Sequence, residues 1–206
     1  MKFTRALSAV ALLVTVAACQ KVERIEVSPA TLALSDAGKS AIVTPNALNA
    51  DGKPMTGLTF QYTSSDPAVA TVDGTGKVTA VKSGTATITV ASGEKTGTAA
   101  VDVRIPAKIV FGSAPLNLHN AGTVAQLQAE VQDALGRPVP NVPVSFTVEN
   151  AAVAKATGTV LTAVGEGNTK VVATAGALTE SAPVVVTMPA AELTDAGTEA
   201  VAAPAP

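Results

Sequence analysis

Thr85-Ala86-Thr87-Ile88-Thr89-Val90 alternates hydroxyl-bearing and apolar side chains residue by residue, the period of a β-strand that buries one face. The same alternation returns where Val142, Val144, Phe146 and Val148 stand against Pro143, Ser145 and Thr147. Valine, threonine and isoleucine fill these runs, and branched side chains suit a pleated, half-buried surface. Turn signals punctuate them at Asp51-Gly52, Asp73-Gly74, Ser83-Gly84, Ser92-Gly93 and Leu135-Gly136-Arg137-Pro138. Short strands with turns at roughly 8 to 12 residue spacing predict an all-β sandwich.

Working outward, the chain repeats. An offset of 84 residues lays Ile25, Leu32, Leu34, Gly38, Gly52 and Pro54 on Ile109, Leu116, Leu118, Gly122, Gly136 and Pro138. The register holds to Val69-Ala70 on Val153-Ala154, then shifts by one residue, so that Thr79-Ala80-Val81, Gly84 and Gly93 fall on Thr162-Ala163-Val164, Gly167 and Gly176. A unit of about 80 residues is large enough to close a core of its own, so two tandem modules are expected rather than a solenoid.

The first unit resembles the group 2 family of bacterial immunoglobulin-like domains over residues 22–103. The resemblance is carried by Ile25-Glu26-Val27-Ser28-Pro29, by Tyr62-Thr63-Ser64-Ser65-Asp66-Pro67-Ala68-Val69-Ala70-Thr71-Val72-Asp73, and by Gly76-Lys77-Val78-Thr79-Ala80 leading into Gly84 to Val90. The second unit, residues 105–188, is more distant: Glu149-Asn150 replaces Ser65-Asp66, and Asp73-Gly74 has no counterpart. Its stretch Gly136-Arg137-Pro138-Val139-Pro140-Asn141-Val142-Pro143-Val144-Ser145-Phe146 resembles the invasin-type, group 1 relatives. The resemblance implies two tandem immunoglobulin-like β-sandwiches. Such modules occur in surface adhesins, as accessory pieces of secreted enzymes and as envelope spacers, and membership transmits no ligand.

Ahead of the modules, Lys2 and Arg5 precede an apolar run that ends in Val16-Ala17-Ala18-Cys19, the charged-then-apolar order of an export signal with small residues before the cut. The segment resembles the lipobox of bacterial lipoproteins. That resemblance implies a signal peptide over 1–18, a diacylglyceryl thioether on Cys19, and a lipidated tether over 19–24. Two readings stand beside it. An uncleaved membrane helix would have only the 13 residues Ala6 to Ala18, short of the roughly 20 that span a bilayer. Plain secretion would leave Cys19 a free thiol. In some Gram-negative bacteria an Asp after the cysteine retains lipoproteins at the inner membrane; Gln20 follows here, so the resemblance implies the outer membrane.

Cleavage after Ala18 would remove two of the 14 basic residues and none of the 16 acidic ones, leaving a net charge of −4. Nucleic acid is therefore not an expected partner. With Cys19 the only cysteine, no disulfide staples either module. His119 is the only histidine, flanked by Asn117 and Asn120, and reads as an exposed turn residue without triad partners. Asp51, Asp66, Asp73 and Asp102 lack the spacing of a calcium loop, so no metal and no cofactor are expected, nor any catalytic residue. Tyr62 aligns with Phe146, a recurrence that favours core packing over a sugar platform; Tyr62 and Asp51 are the weak candidates for a ligand face. Residues 189–206, rich in Ala and Pro, are expected to be a disordered tail. Together these features predict a non-enzymatic envelope lipoprotein whose modules space, scaffold or adhere to an envelope protein or extracellular matrix. The alternative is a polysaccharide-binding module.

Overall fold

The computed structural model describes residues 21–188. Cys19, the signal segment and the tail from 189 lie outside the described residues. Within them the chain is all-β. The first half holds β1 (Arg24–Ser28), β2 (Thr31–Leu34), β3 (Ser40–Ile42), β4 (Thr44–Leu48), β5 (Gln61–Ser64), β6 (Ala70–Val72), β7 (Lys77–Ala80), β8 (Gly84–Ser92) and β9 (Lys95–Val103). The second holds β10 (Pro106–Phe111), β11 (Leu116–His119), β12 (Val124–Gln126), β13 (Ala129–Asp133), β14 (Ser145–Val148), β15 (Ala154–Thr157), β16 (Val160–Ala163), β17 (Gly167–Ala175) and β18 (Leu178–Thr187).

The halves share one topology. A sheet ordered β2-β9-β8-β5 faces one ordered β3-β7-β6, with β1 paired to β4; in the second half β11-β18-β17-β14 faces β12-β16-β15, with β10 paired to β13. In each, the opening edge splits: β1 and β10 run antiparallel to β4 and β13, whereas β2 and β11 run parallel to β9 and β18. These are two tandem immunoglobulin-like β-sandwiches, and no strand of one pairs with a strand of the other.

The opening stretch behaves as its alternation requires. Ala86, Ile88 and Val90 are buried, Thr85 and Thr87 exposed, and their strand joins β9 over its full length. Around them pack Leu32, Leu34, Val43, Val78 and Val101. The second core gathers Leu116, Leu118, Leu161, Val171, Val184 and Val186, with a further cluster at Ile109, Val131 and Val139. The largest fully buried side chains are Ile88, Leu161 and valines, so both cores are built from small aliphatic groups. The aromatic rings sit half-buried at their rims: Phe60 and Tyr62 against the first, Phe111 and Phe146 against the second, the latter two 6.2 Å apart and tilted by 51°.

The structure departs from the sequence reading in three places. Val142 and Val144 are half-buried as their alternation suggests but lie before β14, because Pro140 and Pro143 have no N–H to give a ladder. Ser83-Gly84 does not form a free turn: Ser83 is buried and Gly84 opens β8, where a side chain would strike Val69 at 2.6 Å. His119 ends β11 rather than sitting in a loop, with its exposed ring Nδ1 2.7 Å from the Thr187 hydroxyl.

Candidate functional site

The two weak ligand candidates do not converge on a cleft. Tyr62 lies on β5 with its ring half-buried against the core, and a Cβ at Gly76 would come within 3.1 Å of it. Burial and the neighbouring Asp73 charge both raise its phenol above the ordinary value. Asp51 is exposed, and its N–H donates to the Asn49 side chain at 3.0 Å within a turn.

The other acidic candidates are occupied locally. Asp73 accepts from the Thr75 hydroxyl at 2.6 Å, the Thr75 N–H at 2.9 Å and the Lys77 N–H at 3.1 Å, and these bonds lower its carboxyl below the ordinary carboxylate range. Asp66 accepts from the Ala68 N–H at 3.0 Å. Among the described residues no three His, Cys, Asp or Glu side chains group as metal ligands.

A connected network of charged side chains lies where the modules meet. Only Arg104 and Ile105 separate β9 from β10, and both are tied to the first module: the Arg104 N–H donates to the Leu34 carbonyl at 2.9 Å, and the Ile105 N–H to the buried Ser83 hydroxyl at 2.9 Å. From the second module, the turn after β13 brings Arg137 across. Its Nε and one terminal nitrogen reach Asp133 Oδ2 at 2.9 and 2.8 Å, its other terminal nitrogen reaches Asp102 Oδ1 at 2.9 Å, and the first also donates to the Val103 carbonyl at 2.7 Å. Arg104 completes the set, its Nε on Asp102 Oδ2 at 2.8 Å and a terminal nitrogen on the Pro138 carbonyl at 3.0 Å.

Asp133 is fully buried, and its other oxygen accepts from the Leu135 and Arg137 N–H groups at 2.9 Å each. Burial works to raise this carboxyl, but the bonds from the Arg137 backbone, the Arg137 side chain and the Leu135 N–H outweigh it and hold the group below its ordinary value. Burial likewise opposes the charge on Arg137, and the Asp133 bond with the two carboxylate charges more than restores it. Beside this network opens a cleft of about 920 Å³, walled by Leu34, Ile105 and Pro106 on one side and Val139, Pro140 and Leu178 on the other. Asp102 and the Leu135-Gly136-Arg137-Pro138 turn are each legible in the sequence, but their pairing is not. One signal lay in the repeat, where Asn49 and Lys53 of the first unit become Asp133 and Arg137 of the second.

The bacterial Ig-like domain family, group 2, matches residues 21–103, the whole of the first module. No curated protein matches the chain. The chain is also similar, at low identity, to solved structures. Domains 4 and 5 of the surface-layer protein SbsC are 21% identical, with 81% of this chain and 99% of that one covered and a TM-score of 0.46. The Escherichia coli adhesin FdeC is 18% identical, covering 80% and 63%, with a TM-score of 0.47. Yersinia pseudotuberculosis InvD is 16% identical, covering 84% and 60%, with a TM-score of 0.44. The chain spans 28% of the longer six-domain SbsC structure.

Proposed function

We propose that this chain is a non-enzymatic lipoprotein of the bacterial cell envelope, held to the membrane, in an outer-membrane setting, through lipid on Cys19. Its two immunoglobulin-like modules act by surface contact, as a spacer or scaffold that presents an adhesive or docking face to another envelope protein or the surrounding matrix. The observation that carries the surface-contact reading is the use made of buried polarity. The four buried polar side chains among the described residues are Asn49, Ser83, Asp133 and Thr169, and each is bonded to nearby backbone: Asn49 and Asp133 within their turns, Ser83 to Ile105 of the linker, and Thr169 to the Asn150 N–H inside the second module. Buried polar groups that are satisfied in this way rigidify a fold, which suits modules that act by contact.

The anchor rests on the Val16-Ala17-Ala18-Cys19 motif and on its closeness to β1, which begins only five residues beyond the cysteine. Two acyl chains hold a protein at a membrane durably where one holds it marginally. Chemical crosslinking in the native envelope, followed by identification of the captured species, tests this role. Reproducible capture of an envelope or matrix protein through the module surfaces supports it, and turnover of a small molecule by the purified protein overturns it.

A further inference from the structure

We infer that Arg137 is a lock that turns the two modules into one rigid body, and that the lock exists only at their shared junction. This inference deepens the spacer reading above and rests on it for its biological meaning, though not for its structural test.

The repeat supplies an internal control. The turn after β4 and the turn after β13 are the same object: Asn49 N–H donates to the Lys53 carbonyl and Gly52 N–H to the Asn49 carbonyl, as Asp133 N–H donates to Arg137 and Gly136 N–H to Asp133. In the first, the Asn49 side-chain oxygen accepts from the Asp51 and Lys53 N–H groups at 3.0 and 2.9 Å, as Asp133 does from Leu135 and Arg137. The turn therefore forms with a neutral amide and a lysine. The carboxylate and guanidinium of the second copy are not needed to make the turn, and what they add is the reach to Asp102 and Val103 of the other module. Arginine suits that task because its planar fork can serve three acceptors in fixed directions, which a lysine ammonium on a flexible stem does not.

The acceptor is specialised as well. By strand register Asp102 pairs with Thr85, and the matching pair in the second module is Val185 with Asn168. The outer end of the second module thus presents valine where the junction presents a carboxylate, and Thr187 where it presents Arg104. At the opposite end the first module presents Lys53 where the junction presents Arg137. Donor and acceptor occur together at the one interface inside the described residues. Tandem modules move relative to one another by default unless the interface holds them. Here the linker is bonded into the first module and Arg137 fastens the second to it.

The test uses residual dipolar couplings and ¹⁵N relaxation of the isotopically labelled protein. One alignment tensor and one correlation time shared by both modules are expected. The variant Asp133→Asn with Arg137→Lys installs the turn that already folds in the first module, so the second module keeps its dispersed spectrum while the shared tensor is lost. Asp102→Asn, which leaves that turn untouched, moves the two tensors apart in the same direction. Separate tensors in the unaltered protein, or a shared tensor that survives both variants, would overturn the lock and assign the geometry to the linker alone.

Discussion

At the scale of single residues, a few positions are dictated by contact and not by preference. Gly76 has φ of +81° and sits buried beneath Tyr62, with the Val43 carbonyl in the way of any Cβ. Gly76→Ala is expected to cost about 3 kcal/mol, from left-handed strain plus collision, and denaturant titration of the protein measures it. Asp133 gives a pH dependence with a definite sign. Its folded carboxyl lies below its ordinary value of 3.8, so the stabilisation is fully present above that pH and is lost as the pH falls through the folded value. Arg137, four residues on in its own turn, holds the carboxylate directly, and beyond it across the junction stand Asp102 and Arg104. Thermal unfolding between pH 7 and pH 2 should therefore show a midpoint that is flat at first and falls below about pH 4. In Asp133→Asn the fall should be shallower. An identical profile in both proteins would remove the carboxylate from the account.

At the scale of elements, much was legible in the sequence. The alternation over residues 85–90, the turn dipeptides and the offset repeat are local or self-referential signals, and burial of one strand face enforces them directly. The repeat shows in the structure as strands of matching length and register, β8 with β17 and β5 with β14. Legibility ended where a residue serves a partner distant in sequence. Ser83-Gly84 reads as a turn because its dipeptide is a turn signal, yet Ser83 bonds to Ile105, 22 residues on. Arg137 reads as one residue of a turn because its acceptor stands 35 residues back in another module. Aromatic recurrence was legible too, though its burial was less complete than a core reading implies. Phe146 packs against both clusters of the second core and against Phe111 while remaining half-buried. Phe146→Ala is accordingly expected to cost about 2 kcal/mol, below the 3 to 5 of a fully buried ring, as read from its denaturation midpoint.

At the scale of the whole molecule, the two tandem sandwiches have cores of small aliphatic side chains and, with Cys19 the only cysteine of the sequence, no disulfide to staple them. Such cores give modest stability, and satisfied polar groups at the junction add rigidity. A surface-contact role needs a fixed shape more than it needs a pocket. The intact mass of the protein purified from its native membrane tests the central claim most directly. The account predicts a chain that begins at Cys19 and carries diacylglycerol on that sulfur, with a further acyl group on the new amino terminus. A chain that retains residues 1–18, or that begins at Cys19 with a free thiol, would contradict it.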